Sequence, residues 1–247
     1  MIDYFLLFTP LLLLPVIGLL AFAGCRFEPR QAEVTHVETA VQRQSAGTSS
    51  IAAELNKKIT GGELLVAVVQ WRPLVATDEP SLPAGFTAVN DIPFPWNGMQ
   101  VKIFTGRNAD KTTDLTVTAT LPHNSAATWH LCVSAYSLVS EDAPISSPVS
   151  LTYTGSTPNT PGVKIGPQDL VYAVAFAADS NGTFPGNDNT LTAGPNCTAR
   201  SDTSTNPLVE DGKDNNNPNN PFVAQVTNSN PDQNAQGFIF AMGLNVA

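Results

Sequence analysis

The chain predicts an all-β fold, a two-layer antiparallel β-sandwich preceded by one N-terminal hydrophobic membrane helix. Three observations carry this expectation. Of 247 residues, 42% are hydrophobic and only 13% charged, with 20 prolines and 17 glycines, a composition suited to many short strands joined by turns. Apolar residues recur with period two or in short continuous runs, which is the strand signature. Residues 4–24, YFLLFTPLLLLPVIGLLAFAG, carry no charge, and at about 1.5 Å per residue such a helix reaches about 31 Å, the thickness of a hydrocarbon core.

The segments follow in order. Residues 1–25 form the hydrophobic anchor or a lipoprotein-type signal, 26–33 a polar tether, and 34–247 the sandwich domain. Pro10 and Pro15 lie inside the apolar run, where a membrane span tolerates them better than a soluble helix does. Arg26 and Arg30 follow the run and favour a cytoplasmic C-terminal side by the positive-inside tendency. The weakly charged, Asn/Thr/Ser-rich domain favours the outside, and greater weight goes to the domain. The strands are expected at 34–42, 49–55, 63–71, 85–89, 99–106, 114–121, 128–139, 148–154, 169–177, 196–201, 222–227 and 237–246. About a dozen strands are too many for one flat sheet, so they split into two layers.

Two of these runs resemble each other. ITGGELLVAVVQW, from Ile59, and IGPQDLVYAVAFA, from Ile165, share a Gly-containing turn, an acid and a buried run, with Glu63 matching Asp169 and Leu64 matching Leu170. They hint at two equivalent halves, as in a double Greek key. The order Gly62-Glu63-Leu64-Leu65-Val66-Ala67, Pro83-Ala84-Gly85-Phe86-Thr87 and Ala135-Tyr136-Ser137-Leu138-Val139 resembles a jelly-roll-like domain of phage tail-fibre and bacterial surface proteins, over roughly residues 34–246. Phe86 stands where that family commonly has Trp, and Leu138 where it has Gly. The resemblance makes the sandwich one of jelly-roll type and carries over no catalytic residue. Phe22-Ala23-Gly24-Cys25 resembles the lipobox of bacterial lipoproteins, which makes Cys25 a candidate lipid-attachment site. The segment MIDY lacks a basic residue, and the apolar run exceeds a usual signal h-region. Both features favour a retained helix, and both fates stay open.

Candidate chemistry is sparse. The net charge of −9 and the lack of a basic cluster argue against nucleic acid as a partner. No Gly-x-Ser-x-Gly turn occurs, and His36, His123 and His130 are scattered over two strands and a turn, which gives no nucleophile, base and acid set. No His/Cys spacing suits zinc. Glu141 and Asp142 are adjacent in a loop and do not form a glycosidase pair. The loop 179–190 gathers Asp179, Asn181 and Asp188, a candidate Ca²⁺ set, and 209–221 gathers Glu210, Asp211 and Asp214. Both also read as solvated turns. Cys132 and Cys197 form a candidate disulfide, with buried free thiols as the alternative. Asn181 and Asn196 fit the N-glycosylation pattern. Trp71 and Trp129 are expected in the core, whereas Trp96, in the loop IPFPWNG, is the candidate for stacking on a glycan.

The functional expectation is a non-enzymatic, membrane-anchored surface or virion-associated module with a structural or adhesive role. It would sit on the cell envelope or extracellular face, need no cofactor, and engage a surface glycan or protein. The alternative is a glycan-binding lectin or a carbohydrate-active enzyme on a similar sandwich.

Overall fold

The computed structural model describes residues 32–56, 59–90, 94–96, 98–108, 115–155, 157–177, 191–201, 207–213, 221–228 and 236–247. The apolar run 4–24, Cys25, and the loop holding Asp179, Asn181 and Asp188 lie outside the described residues. The described chain is all-β, with antiparallel sheets packed on one another.

The strands of the first half are β1 (Thr35–Gln44), β2 (Ser50–Leu55), β3 (Leu64–Trp71), β4 (Thr87–Ala88), β5 (Phe94–Trp96), β6 (Met99–Arg107), β7 (Leu115–Thr120) and β8 (Trp129–Ser137). Those of the second are β9 (Ile145–Thr154), β10 (Leu170–Ala177), β11 (Leu191–Ala193), β12 (Cys197–Ala199), β13 (Leu208–Gly212), β14 (Val226–Asn228) and β15 (Gln236–Leu244). Each of the twelve expected runs has strand or bridge pairing within it. Three strands were not expected. Two prolines disguise β5 as a loop, and Pro95 is tolerated because β5 pairs only with β6. The strand β11 is only three residues long. Two consecutive acids hide β13, so Glu210 and Asp211 lie in a strand and not in an ion-binding loop.

The first large sheet runs β1-β8-β3-β6-β4, with β5 also on β6, and the second runs β12-β13-β10-β15-β9. Read from the opposite edge, the second sheet repeats the first strand for strand: β9 takes the place of β1, β15 of β8, β10 of β3, β13 of β6 and β12 of β4. The register repeats too. Leu65 stands between Gly106 and Ala135, and Val171 between Gly212 and Gly243. Pairing within the first half is nested, β1 with β8, β2 with β7 and β3 with β6. In the second half β9 pairs with β15, and β10 with β13. Asn159 and Val163 bridge to Gln225 and Phe222 in the position of the β2–β7 pair.

Even the turns are reproduced. Glu63 accepts the Thr60 and Gly61 N–H groups at 2.6 and 2.9 Å ahead of β3, and Asp169 accepts the Gly166 N–H at 2.6 Å ahead of β10. Ahead of β4 the Phe86 N–H closes a turn on the Pro83 carbonyl, and ahead of β12 the Cys197 N–H closes one on the Gly194 carbonyl. The third residue of each turn is left-handed, Gly85 at φ 97° and Asn196 at φ 67°, the conformation that Gly and Asn accept most readily. These turns press on a glycine in the next strand. A Cβ on Gly106 would lie 3.1 Å from the Gly85 oxygen, and one on Gly212 would lie 2.6 Å from the Asn196 oxygen.

The two large sheets pack face to face. Leu64, Val66, Val68, Val101, Ile103, Cys132 and Tyr136 of the first meet Tyr172, Val174, Phe176, Phe238, Phe240 and Met242 of the second. The outer faces are also covered, so the sandwich has more than the two expected layers. The β2–β7 pair lays Ile51, Ala53, Leu55, Val117 and Ala119 on Leu65, Ala67, Val69 and Trp71. Phe222 and Ala224 lie on Val171, Ala173 and Ala241, while Leu191 and Val226 lie on Ala175, Ala177 and Ile239. Burial on both faces explains why β3 and β10 are continuous apolar runs rather than alternating ones.

Chain entry and exit lie at one pole. Lys213 reaches Glu33 at 2.7 Å, Val139 bridges to Val246, and the Ala247 N–H donates to the Leu138 carbonyl. Leu138 itself is left-handed at φ 60° and 51% exposed, a conformation that glycine adopts without steric cost. Relieving that strain should outweigh the backbone freedom a glycine adds, so Leu138→Gly is expected to stabilise the domain by about 0.5–1 kcal/mol in urea unfolding.

Candidate functional site

The described chemistry-bearing side chains fall into four groups, each set by the strands beneath it. At the entry pole, Arg107 at the end of β6 donates to the carbonyls of Gly62, Val139 and Ser140. Beside it, Asn108 donates to Glu63 at 3.2 Å. Burial alone would raise the Glu63 carboxyl, but the Thr60 N–H and hydroxyl and Asn108 outweigh it and hold the carboxyl below its usual range. Gly62, Arg107, Asn108 and Glu141 line an open cleft of about 320 Å³. The cleft is open to solvent and its lining is mixed polar and apolar.

A second group crosses the inter-sheet layer. Arg200 Nε donates to Asp211 Oδ2 at 2.7 Å, and the Tyr136 hydroxyl lies 3.5 Å from the same oxygen. Tyr136 stands edge-on to Tyr172 across the sheets, with ring centroids 6.1 Å apart. Burial pushes both phenols well above their usual range, so neither is an acid-base group near neutrality. On the other side of Tyr136 lies His36, its ring 5.4 Å away and its Nε2 2.9 Å from the Thr39 hydroxyl.

The opposite pole holds the third group. Asp78, almost wholly buried, takes His123 Nδ1 at 2.6 Å and the Val75 N–H at 2.9 Å, while its carbonyl accepts the Trp71 indole N–H at 3.1 Å. Burial would raise the Asp78 carboxyl, but hydrogen bonds from His123 and from the Val75 and Leu74 backbone outweigh it and leave the carboxyl lowered. His123 is exposed. His130, by contrast, is buried in β8 with Nδ1 3.1 Å from Gln70 Oε1, and burial, aided by the Arg43 charge, drives it down to about 3. The ring is neutral. The three histidines therefore serve three different neighbourhoods, as their scatter along the chain implied.

The fourth group is Glu210 with Cys197, on the outer face of the second sheet. Glu210 is fully buried. Its Oε2 accepts the Gly194 N–H at 3.3 Å and the Cys197 thiol donates to the same carboxyl, while Oε1 has no partner among the described residues. Burial, with Asp211 adding to it, pushes Glu210 up to about 7 against those two donors. Sequence reasoning missed this contact because β13 was hidden. The match of Gly85-Phe86-Thr87 with Asn196-Cys197-Thr198 is the signal that would have placed Cys197 beside it.

The sequence's own candidates are not brought together. Cys132 lies in the inter-sheet core and Cys197 packs on the far side of the second sheet, so a sheet separates the two thiols and both are free. Trp71 and Trp129 are in the core, their indoles bonded to the Asp78 carbonyl and the Thr48 hydroxyl. Trp96 is in β5 rather than a loop. Glu141 and Asp142 are exposed on the loop after β8. Among the described residues no three His, Cys, Asp or Glu side chains gather to hold a metal ion, and no helix is long and apolar enough to cross a membrane.

Two measurements check this arrangement. In protein unfolded without reductant, both Cys132 and Cys197 should take up an alkylating reagent, while the native fold protects Cys132, whose thiol burial pushes up. A carboxyl held low stabilises the fold above its unfolded pKa and loses that contribution as pH falls through the folded one. Replacing His123 by Ala removes one holder of Asp78, so the midpoint of acid unfolding, followed by Trp fluorescence, should move to higher pH.

Compared with known proteins, the chain matches no family model, no curated protein and no solved structure.

Proposed function

We propose that this chain is a non-enzymatic structural or adhesive module, built as two jelly-roll-like units joined through their large sheets and carried on a membrane by the apolar run 4–24. The observation that carries the reading is what four charged side chains do. Glu63 and Asp169 fasten the turns before β3 and β10, Asp78 fastens the loop after β3, and Arg107 ties three carbonyls at the entry pole. These are the uses a rigid scaffold makes of its charges. Nested pairing of first with last strand supports the jelly-roll description, since it is what rolling up one long hairpin produces. The place of such a module is the cell envelope or a virion.

Lectin activity is the second reading, and the cleft favours it. Glu141, exposed at its rim, offers a carboxylate acceptor of the kind that sugar hydroxyls take up. That moves the candidate from Trp96, whose side chain lies outside the described residues, to the entry pole.

Membrane fractionation and intact mass of the extracted full chain test the proposal. With a retained helix, the protein is expected in the membrane fraction at full mass, and Cys25→Ser changes nothing. Loss of residues 1–24 with added acyl mass would replace the helix by a lipid on Cys25. Recovery in the soluble fraction, or turnover of glycoside substrates above the buffer rate, would overturn the anchored, non-enzymatic reading. Binding on a glycan array that Glu141→Ala abolishes would select the lectin.

A further inference from the structure

The internal repeat shows what the fold requires and what has been added to it. Gly106 and Gly212 are equivalent in register, and so are Phe104 and Glu210. The matching turns make Phe86 equivalent to Cys197. In the first half the two phenylalanines share an apolar cluster. In the second half the same two positions hold a thiol and a buried carboxyl. The fold therefore works with an apolar pair at this place, and a carboxyl there costs desolvation that packing does not demand.

Glu210 has few means of carrying a charge. Gly194 N–H and the Cys197 thiol meet it, and Oε1 has no partner among the described residues. Among the described residues the nearby guanidinium, Arg200, is committed to Asp211, whose side chain points to the opposite face of β13. Among the described residues, the ionisable groups acting on Glu210 are Cys197 and Asp211. β10 sets Ala173 opposite it, and the segment over this face brings Phe222 and Ala224, none of them charged.

The part able to yield is also identifiable. β13 is held between β12 and β10, and β10 continues into the body of the sheet. β12 has three residues and, among the described residues, one neighbouring strand. The turn that leads into it, Gly194 to Cys197, follows directly from β11, which is paired to β14 in the outer layer. Glu210 thus fastens a short edge strand, and through its turn the outer layer, to the second sheet.

We propose that Glu210 makes β12 and the turn 194–197 a pH-operated latch, closed while the carboxyl is protonated and released when it ionises and draws water to the edge of the second sheet. The sign follows from its raised folded pKa. Such a group contributes stability that is fully present below the unfolded value and is lost as pH rises through the folded one, so the latch loosens toward alkaline pH.

Hydrogen exchange on the full chain between pH 5.5 and 8.5, corrected for intrinsic rates, tests this with a control in the same molecule. Protection of Thr198 and Arg200, whose N–H groups face β13, is expected to fall toward tenfold per pH unit above neutrality, while that of Thr87 and Val89, in the equivalent place on β6, stays level. Glu210→Gln should hold Thr198 and Arg200 level as well. Parallel pH profiles for β12 and β4 in the unmodified protein would overturn the latch, whether or not the variant folds. Unchanged alkaline loosening in a folded Glu210→Gln protein would overturn it too, by assigning the effect to another group.

Discussion

Burial of both faces of β3 and β10 is the constraint on which the rest of this structure depends. Neither strand presents a side chain to water over its whole length. Each strand needs flanking strands for its backbone and apolar cover above and below for its side chains. The inner faces find that cover in each other. The outer faces need the β2–β7 pair on one side and the segments around Phe222 and Val226 on the other. Layer order, strand order and the placement of the polar groups at the two poles follow from this demand.

Most of this was legible in the chain, for a physical reason. A doubly buried strand has no polar alternation, so ELLVAVVQW and DLVYAVAFA stand out, and the acid before each marks the turn that aims it. The repeat of Glu63 in Asp169 therefore reported a real equivalence of halves. Pairing partners were harder, because β1 and β8 meet across long separations, as the Thr39 and Ser134 hydroxyls do at 2.9 Å. Period alone says nothing about partners. The polar groups were hardest. Glu210 and Asp211 read as loop acids because local composition cannot register a carboxyl whose burial is decided by strands elsewhere in the chain. His123 looked like an idle turn residue, since its partner Asp78 lies 45 positions away.

The duplication also separates scaffold from addition. Gly106 and Gly212, Glu63 and Asp169, and Gly85 and Asn196 keep their roles in both halves, so they belong to the shared backbone plan. Phe104 and Glu210 do not, nor do Thr105 and Asp211. One strand of the second half carries two consecutive buried acids, pointing to opposite faces, and among the described residues only Asp211 has an arginine to answer it. The cost falls on one edge of one sheet.

Nested pairing bears on how the chain comes to be folded during synthesis. The first half can close only when β8 is available to β1, and once closed it satisfies its own hydrogen bonds and its own outer layer. Its inner face remains open. Leu64, Val66, Val68, Val101, Ile103 and Tyr136 would wait, as a flat apolar surface, for a second half whose central strand begins at Leu170 and whose last strand ends at Leu244. A growing chain thus holds a completed half with one exposed sticky side for as long as the remaining residues take to emerge, the kind of intermediate that favours association with other chains. The same surface also serves as the template on which the second half assembles.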